Sequence, residues 1–218
     1  MTARRHSSRT SNGSSGRTTG IGNATAIPGE YGPDPATSRG FRPAVASPRM
    51  PTPADETDTD PDATARAVLD AAVYLTLATA DAEGRPWSTP VYFAAEGGRH
   101  LYWMSSPDRA HSRNIAARPE VAASVFDSTQ PPGTGRGLYL AATAGLVPDD
   151  EVAHGMTVYP GPPERGARRM TVADVTPPSP YRLYRAVVTG AWVVCPDSGR
   201  NPCAAHGLRG DHRTPVTL

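Results

Sequence analysis

The chain has 218 residues, a formal net charge of +1 and 38% hydrophobic residues. This length allows one or two domains, and the near-zero charge gives no reason to expect nucleic acid as a partner. There is no lysine, so every basic residue other than histidine is arginine, and enzymes that hold pyridoxal phosphate as an internal aldimine are excluded.

Targeting and redox signals are also weak. No apolar run approaches the ~20 residues that a membrane helix needs, and no apolar segment follows Arg4 and Arg5 as it would in a secretory signal. Cys195 and Cys203 are the two cysteines of the chain, which is too few for a disulfide framework. We therefore expect a cytoplasmic protein without membrane or nucleic-acid partners.

Residues 1–60 are rich in Ser, Thr, Gly, Pro and Arg and show no helical or strand period. Such a composition buries too little apolar surface to offset its ordering entropy, so we predict a disordered N-terminal extension. Met50 stands where the composition changes and is a candidate start of translation. Residues 61–218 are predicted to form the folded domain, with a loop-rich C-terminal segment at 195–218.

The folded part is predicted to begin with a helix at 62–72, capped by Asp62. A second helix is predicted from Asp108 to the residue before Pro119, and a third, short helix at 149–154. The predicted strands, recognised by alternation and by glycine-containing turns, are 73–80, 87–94, 100–104, 121–126, 138–147 and 182–194. Strands at this spacing with few helices predict a small, mainly β, mostly antiparallel barrel.

The start of the second helix has the features of a phosphate site. Ser106 is a candidate N-cap and Pro107 suits the first helical position. Arg109 and Arg113 are one helical turn apart, with Ser112 beside them. Two guanidinium groups and a hydroxyl next to unpaired backbone N–H groups are suited to bind a phosphate, although a capped surface helix with solvated arginines has the same pattern.

Aromatic residues are concentrated on the two strands before this helix, at Trp87, Tyr92, Phe93, Tyr102 and Trp103. Successive residues of a strand point to opposite faces, so Tyr102 and Trp103 cannot both point into one core. We expect one of them to border a flat aromatic ligand or another subunit.

The segments LATADAEGRPWSTPVYF, LYWMSSPDRAHSRNIAARPEVAASVF, GLYLAATA, PYRLYRAVVTGAWVV and DHRTPV resemble, in this order and spacing, the pyridoxamine 5′-phosphate oxidase-like, FMN-binding split-barrel family. The resemblance implies a six-stranded antiparallel split β-barrel. It also implies a homodimer that binds FMN non-covalently at the subunit interface, and an FMN-dependent oxidoreductase activity.

The family resemblance also implies which residues bind the cofactor. Residues 89–92 would meet the edge of the isoalloxazine ring, residues 109–113 would bind the phosphate, and Trp192 and Arg213 would close over the ring. The complete set is Thr89, Pro90, Val91, Tyr92, Trp103, Met104, Arg109, His111, Ser112, Arg113, Trp192 and Arg213. No catalytic residue is assigned.

The chain departs from the authentic oxidase at its substrate motif. An Arg-x-His sequence is expected near the C-terminus, whereas Arg209 and His212 are one residue too far apart. We therefore do not expect pyridoxamine phosphate as the substrate. The alternatives are a deazaflavin-dependent reductase, or a dimeric flavin- or deazaflavin-binding module without catalytic activity.

The C-terminal segment contains the ligand types of a tetrahedral zinc site, at Cys195, Cys203, His206 and His212. Their spacing, C-x7-C-x2-H-x5-H, matches no common zinc module, and no metal site is predicted from it.

Overall fold

Alternating apolar residues build one curled antiparallel sheet, which a computed structural model describes for residues 60–131, 135–195, 202–203 and 206–218. The predicted disordered extension and the candidate start at Met50 lie outside the described residues, except for Asp60. Within the described residues, no helix has the length and hydrophobicity to span a bilayer.

In the described residues, eight strands follow one another. They are β1 (Tyr74–Ala80), β2 (Pro86–Tyr92), β3 (Ala94–Glu96), β4 (His100–Ser105), β5 (Glu120–Phe126), β6 (Gly137–Leu146), β7 (Arg182–Val194) and β8 (Arg213–Pro215). Their order in the sheet is β2-β1-β5-β6-β7-β4-β3, and β8 pairs with β7. Every pairing is antiparallel. The six longer strands confirm the predicted mainly β, antiparallel split barrel, and the three-residue strands β3 and β8 were not predicted.

Three short helices accompany the sheet in the part of the chain that the structure describes: α1 (Pro61–Ala71), α2 (Ala110–Ala117) and α3 (Val152–Val158). Two single 3₁₀ turns lie at Pro163–Arg165 and Val172–Asp174. The cap of α1 is Asp60 rather than the predicted Asp62, because an Asp60 carboxylate oxygen accepts the Asp62 N–H at 3.0 Å. The third helix begins three residues later than predicted, because a turn from Pro148 to Glu151 precedes it.

The inner face of the sheet carries the main core. Leu75 and Leu77 of β1, Val125 of β5, and Leu138 and Leu140 of β6 are buried there. Helix α1 adds Ala65, Val68 and Leu69 to this core. A second apolar cluster covers the outer face near β4, where Tyr102 and Leu183 pack against Val152, Tyr159 and Val175.

The expectation that Tyr102 or Trp103 borders a ligand or another subunit is wrong, because both faces of β4 are covered. Tyr102 and Trp103 do point to opposite faces, but each is only 1% exposed. Trp103 stacks on Tyr184 in the main core with ring centroids 5.7 Å apart, and Tyr102 lies in the outer cluster. Neither ring is available to border a ligand, because α3 and the segment after it cover the face that we expected to be open.

Within the described part of the chain, backbone hydrogen bonds do not close the barrel. Among the described strands, β2 pairs with β1 alone. At the other end of the sheet, β3 pairs with β4 only at residues 100–102. Among the described strands, the free edge of β2 and that of β4 from Trp103 to Ser105 therefore have no strand partner.

A substitution at Gly155 of α3 would test how closely the second apolar cluster, on the outer face of the sheet, is packed. A Cβ at this position would lie 2.6 Å from Leu183 Cδ2 and 3.1 Å from Tyr102 Cε1, and both side chains are buried. We expect Gly155→Val to lower the free energy of unfolding by about 1–3 kcal/mol, as overpacking usually does.

The control for this prediction is Gly145→Val, since a Cβ on Gly145 meets no described atom within 4 Å. Urea unfolding of both variants provides the comparison. Equal loss of stability in the two variants would contradict the close packing of α3 on the sheet.

Candidate functional site

A cleft of about 570 Å³ lies between the free edges of β2 and β4. One side is formed by β2 and the other by the end of β4, the turn after it and the first residues of α2. The lining residues are Trp87, Thr89, Pro90, Val91, Tyr92, Met104, Ser105, Ser106, Asp108, Arg109, Ala110, His111, Tyr159 and Tyr181. The cleft therefore occupies the place where the barrel is split.

Strand β2 presents backbone as well as side chains to the cleft. Five of its residues line the cleft, including side chains from both of its faces, because its outer edge is uncovered. The N–H and C=O groups along such an edge are available to a ligand that can donate and accept hydrogen bonds. At the start of the strand, Trp87 is 51% exposed and its indole N–H donates to Thr89 Oγ1 at 2.7 Å.

Tyrosines form an aromatic wall beside β2. The rings of Tyr92 and Tyr159 meet edge to face with centroids 5.9 Å apart, and Tyr74 meets Tyr92 in the same way at 5.8 Å. The Tyr92 hydroxyl donates to the Pro160 carbonyl, which fixes the segment after α3 against β2. Burial raises the pKa of Tyr92 and of Tyr159, so both remain neutral phenols at neutral pH.

The start of α2 forms the end of the cleft that contains its charged lining residues, Asp108 and Arg109. A turn comes first, in which Ser106 Oγ accepts the Asp108 N–H at 3.2 Å and the Ser106 carbonyl accepts the Arg109 N–H at 3.1 Å. The helix begins at Ala110 with Arg109 as its N-cap and no side-chain cap. The prediction that Ser106 caps the helix is thus wrong by three residues, because Ser106 closes the preceding turn.

This arrangement leaves the first N–H groups of α2 beside the exposed Arg109 side chain. The first turn of a helix has no internal acceptors for these groups, and the helix dipole adds positive potential there. An anion in this end of the cleft would meet both the guanidinium and the backbone N–H groups.

Beneath the helix start lies a buried polar network. Ser105 Oγ is 2.8 Å from His111 Nε2, and the Ser112 hydroxyl donates to Ser105 Oγ at 3.1 Å. All three residues are buried. Desolvation, and secondarily the positive charge of Arg109, lower the pKa of His111. The imidazole is therefore neutral at pH 7, and it positions α2 against the end of β4.

Seven of the twelve predicted cofactor residues line the cleft: Thr89, Pro90, Val91, Tyr92, Met104, Arg109 and His111. Ser112 is buried behind the cleft in the hydroxyl network. Arg113 is exposed and does not line it; its guanidinium donates to the Asp108 carbonyl. The charged end of the cleft thus contains Arg109, while Arg113 lies outside the lining.

Three other predicted residues lie away from the cleft. The Trp103 side chain is in the core, so it cannot reach a ligand there. Trp192 is on the outer face of β7, and the Arg213 guanidinium carbon lies 4.0 Å from the centre of the Tyr139 ring. Within one chain, neither Trp192 nor Arg213 contributes to the cleft.

Sequence reasoning missed Tyr159 and Tyr181 as lining residues. Each stands in a segment rich in proline, and neither belongs to a predicted helix or strand. They reach the cleft through tertiary packing alone. For Trp87, Ser105 and Ser106 a signal was present, since Trp87 was noted with the aromatic residues and the two serines immediately precede the predicted helix.

The sequence matches the family model of pyridoxamine 5′-phosphate oxidase over residues 61–178, which is more than half of the chain. No curated protein sequence matches it significantly.

Among solved structures, the chain is similar to a heme-binding protein from Mycobacterium smegmatis, with 20% identity, coverage of 68% of this chain and 55% of that chain, and a TM-score of 0.48. It is similar to HutZ, the heme storage protein from Vibrio cholerae, with 22% identity, coverage of 62% and 94%, and a TM-score of 0.48. A FAD-binding protein from Mesorhizobium loti has 20% identity, coverage of 59% and 90%, and a TM-score of 0.45.

Lowering the pH should destabilise the protein through His111. Its folded-state pKa lies below the ordinary 6.5, so the unfolded chain binds more protons as the pH falls below that value. The stability that neutral His111 contributes is complete above pH 6.5 and is lost as the pH falls toward the folded-state pKa. Urea unfolding of the wild type and of His111→Asn at about pH 7.5 and about pH 5.5 measures this effect.

We expect the wild type to lose more stability between the two pH values than His111→Asn does, because the variant lacks the titrating group. If both proteins lose the same free energy, the imidazole is not desolvated in the folded state.

Proposed function

As the chain belongs to the pyridoxamine 5′-phosphate oxidase family, we propose that it is an FMN-dependent oxidoreductase that works as a homodimer. The observation that supports this proposal is the cleft between β2 and β4. It combines Arg109 at the start of α2, two free strand edges and an aromatic wall. These features suit the phosphate, the polar ring edge and the flat ring system of a flavin nucleotide.

Arg109 and the first N–H groups of α2 would bind the phosphate. A guanidinium forms two parallel hydrogen bonds to phosphate oxygens, and the helix start adds donors without further ordering of the chain. Asp108 also lines this end of the cleft. Its backbone groups already have partners, because its N–H donates to Ser106 Oγ and its carbonyl accepts from the Arg113 guanidinium. The buried pair of Ser105 and His111 would keep the helix start at a fixed distance from the strand edges.

The ring would lie between the two strand edges. Backbone groups of residues 89–92 and of Met104 would hydrogen-bond its polar edge, while Trp87 and Tyr181 are exposed aromatic side chains at the mouth of the cleft. FMN, when bound, supplies the redox chemistry, and the protein supplies orientation, electrostatics and exclusion of water. The substrate and the catalytic residues are left unassigned.

The outer face of the sheet supports a homodimer. One row of uncharged residues crosses six strands in register, from the cleft to the C-terminal strand: Pro90, Thr76, Ser124, Tyr139, Trp192 and Pro215. The next row, from Ser88 to Ala141, continues with small residues. A second subunit on this face would be adjacent to the cleft, and Trp192 and Arg213 would reach the cofactor from that subunit.

Two alternative functions follow from the departure at the substrate motif. Arg209 and His212 do not have the spacing of the oxidase substrate motif, so pyridoxamine phosphate is not the proposed substrate. A deazaflavin-dependent reductase, or a flavin-binding dimer without catalysis, would need the same cleft.

Bleaching of the bound flavin by NAD(P)H, and the return of its absorbance in air, would separate an oxidoreductase from a carrier.

Arg109 is the most direct test of the phosphate site. We expect Arg109→Ala to weaken FMN binding by about tenfold to a hundredfold, since a hydrogen-bonded charge pair is worth about 1.5–3 kcal/mol. Arg113→Ala should have a smaller effect, and the double variant should resemble Arg109→Ala. Quenching of flavin fluorescence during titration of the apoprotein measures the dissociation constants.

Arg118→Ala is the matched control, because Arg118 is exposed at the opposite end of the same helix. It should bind FMN as the wild type does. Unchanged affinity in Arg109→Ala, or equal losses in the Arg109 and Arg118 variants, would place the phosphate elsewhere.

A further inference from the structure

Four metal-ligating side chains converge at the end of β7, outside the cleft. They are Cys195, Cys203, His206 and His212, and one ligand atom from each lies within 4.8 Å of all the others. Their spacing along the chain gave no metal prediction, but the fold brings them together. We propose that this group is a structural zinc site with two cysteine and two histidine ligands.

Four of the six ligand-to-ligand distances are close to those of a tetrahedron around zinc, and the two from His212 Nε2 to the sulfurs are within 4.8 Å. Bonds of ~2.3 Å to sulfur and ~2.0–2.1 Å to nitrogen place two sulfurs about 3.8 Å apart, a sulfur and a nitrogen about 3.6 Å apart, and two nitrogens about 3.3 Å apart. The Cys195 and Cys203 sulfurs are 3.7 Å apart, and they lie 3.7 and 3.3 Å from His206 Nδ1. His206 Nδ1 is 3.1 Å from His212 Nε2.

A disulfide does not account for this geometry, because the separation of the two sulfurs is well beyond the ~2.05 Å of an S–S bond. A hydrogen bond between the two imidazoles would involve only half of the group. A divalent cation with soft ligands satisfies two thiolates and two imidazole nitrogens at once, and a tetrahedral set of two sulfurs and two nitrogens favours zinc.

Backbone hydrogen bonds hold the ligands in place. Cys195 and His212 continue the β7–β8 ladder by one residue, with the Cys195 N–H donating to the His212 carbonyl at 2.8 Å. The Gly207 N–H donates to the Cys203 carbonyl at 2.7 Å, which holds the neighbouring His206 close to Cys203. Gly207 has a φ of +65°, which a residue with a side chain rarely adopts.

The tautomer of His212 also fits a zinc ligand. A carbonyl oxygen only accepts hydrogen bonds, so the contact of 3.0 Å between His212 Nδ1 and the Gly210 carbonyl requires the proton on Nδ1. The lone pair of a neutral His212 is then on Nε2, which is the atom that faces the other three ligands. Orientation of a histidine ligand by a backbone carbonyl is the usual outer-shell arrangement in zinc sites.

Four protein ligands would leave no open coordination position, so the site is structural rather than catalytic. Zinc would bind the thiols as thiolates, with release of their protons, and the two negative charges would neutralise the ion. The ion would join the end of β7 to Cys203, to His206 and to the start of β8. Since Arg213 follows His212 directly, the site would fix the arginine that lies over Tyr139.

Zinc content of the full-length protein, purified under reducing conditions without chelators, tests the site. We expect about one zinc per chain by inductively coupled plasma mass spectrometry. Replacement by Co²⁺ should give the intense visible bands of tetrahedral cobalt and a thiolate-to-cobalt charge-transfer band. Both measurements use the wild type, so they do not depend on the folding of a variant, and neither depends on what the cleft binds.

Cys203→Ser and His212→Asn should each lower zinc affinity at least tenfold and weaken the charge-transfer or visible bands. His154→Asn is the control, because His154 is an exposed histidine on α3, and its zinc content should equal that of the wild type. Protein that neither contains zinc nor takes up Zn²⁺ or Co²⁺ would overturn the proposal. So would a freshly reduced protein that binds no metal and regains a Cys195–Cys203 disulfide, seen as the loss of two hydrogens in intact mass.

Discussion

An antiparallel sheet that stops short of closing leaves two rows of backbone groups without strand partners, and here those rows belong to β2 and to the end of β4. Buried backbone donors and acceptors must be satisfied or reach solvent. Contacts between side chains lie at both ends of this split. One end contains the buried network of Ser105, His111 and Ser112. At the other end, the ring of Tyr92 packs on that of Tyr159 and its hydroxyl donates to the Pro160 carbonyl.

The short helices take their roles from this split. Helix α2 packs against β1, β2 and β6, and its start lines the cleft with Arg109. Helix α3 packs through Gly155 on Tyr102 and Leu183, and its C-cap residue Tyr159 is thereby brought to the cleft. The proposed zinc site has a separate role, since it would attach β8 and Arg213 to β7 on the outer face.

Local patterns were sufficient for the long strands. Alternation placed β7 at 182–194 and identified β2. Helix signals pointed to Arg109, which lines the cleft, whereas Thr89, Met104 and His111 were named through the family resemblance. Properties set by tertiary packing were not predictable. Trp103 is buried because its strand is covered on both faces, Tyr159 and Tyr181 come from irregular segments, and the Cys–His cluster forms because Cys195 and His212 face each other across a strand pair.

Native mass spectrometry of the purified protein, followed by identification of the released cofactor, tests the central claim most directly. We expect a dimer that carries a flavin mononucleotide on each subunit, and we expect Arg109→Ala to retain less of it. A monomer, or a dimer that contains no flavin or deazaflavin and takes up neither when they are added, would contradict the assignment of the split between β2 and β4 as a cofactor site.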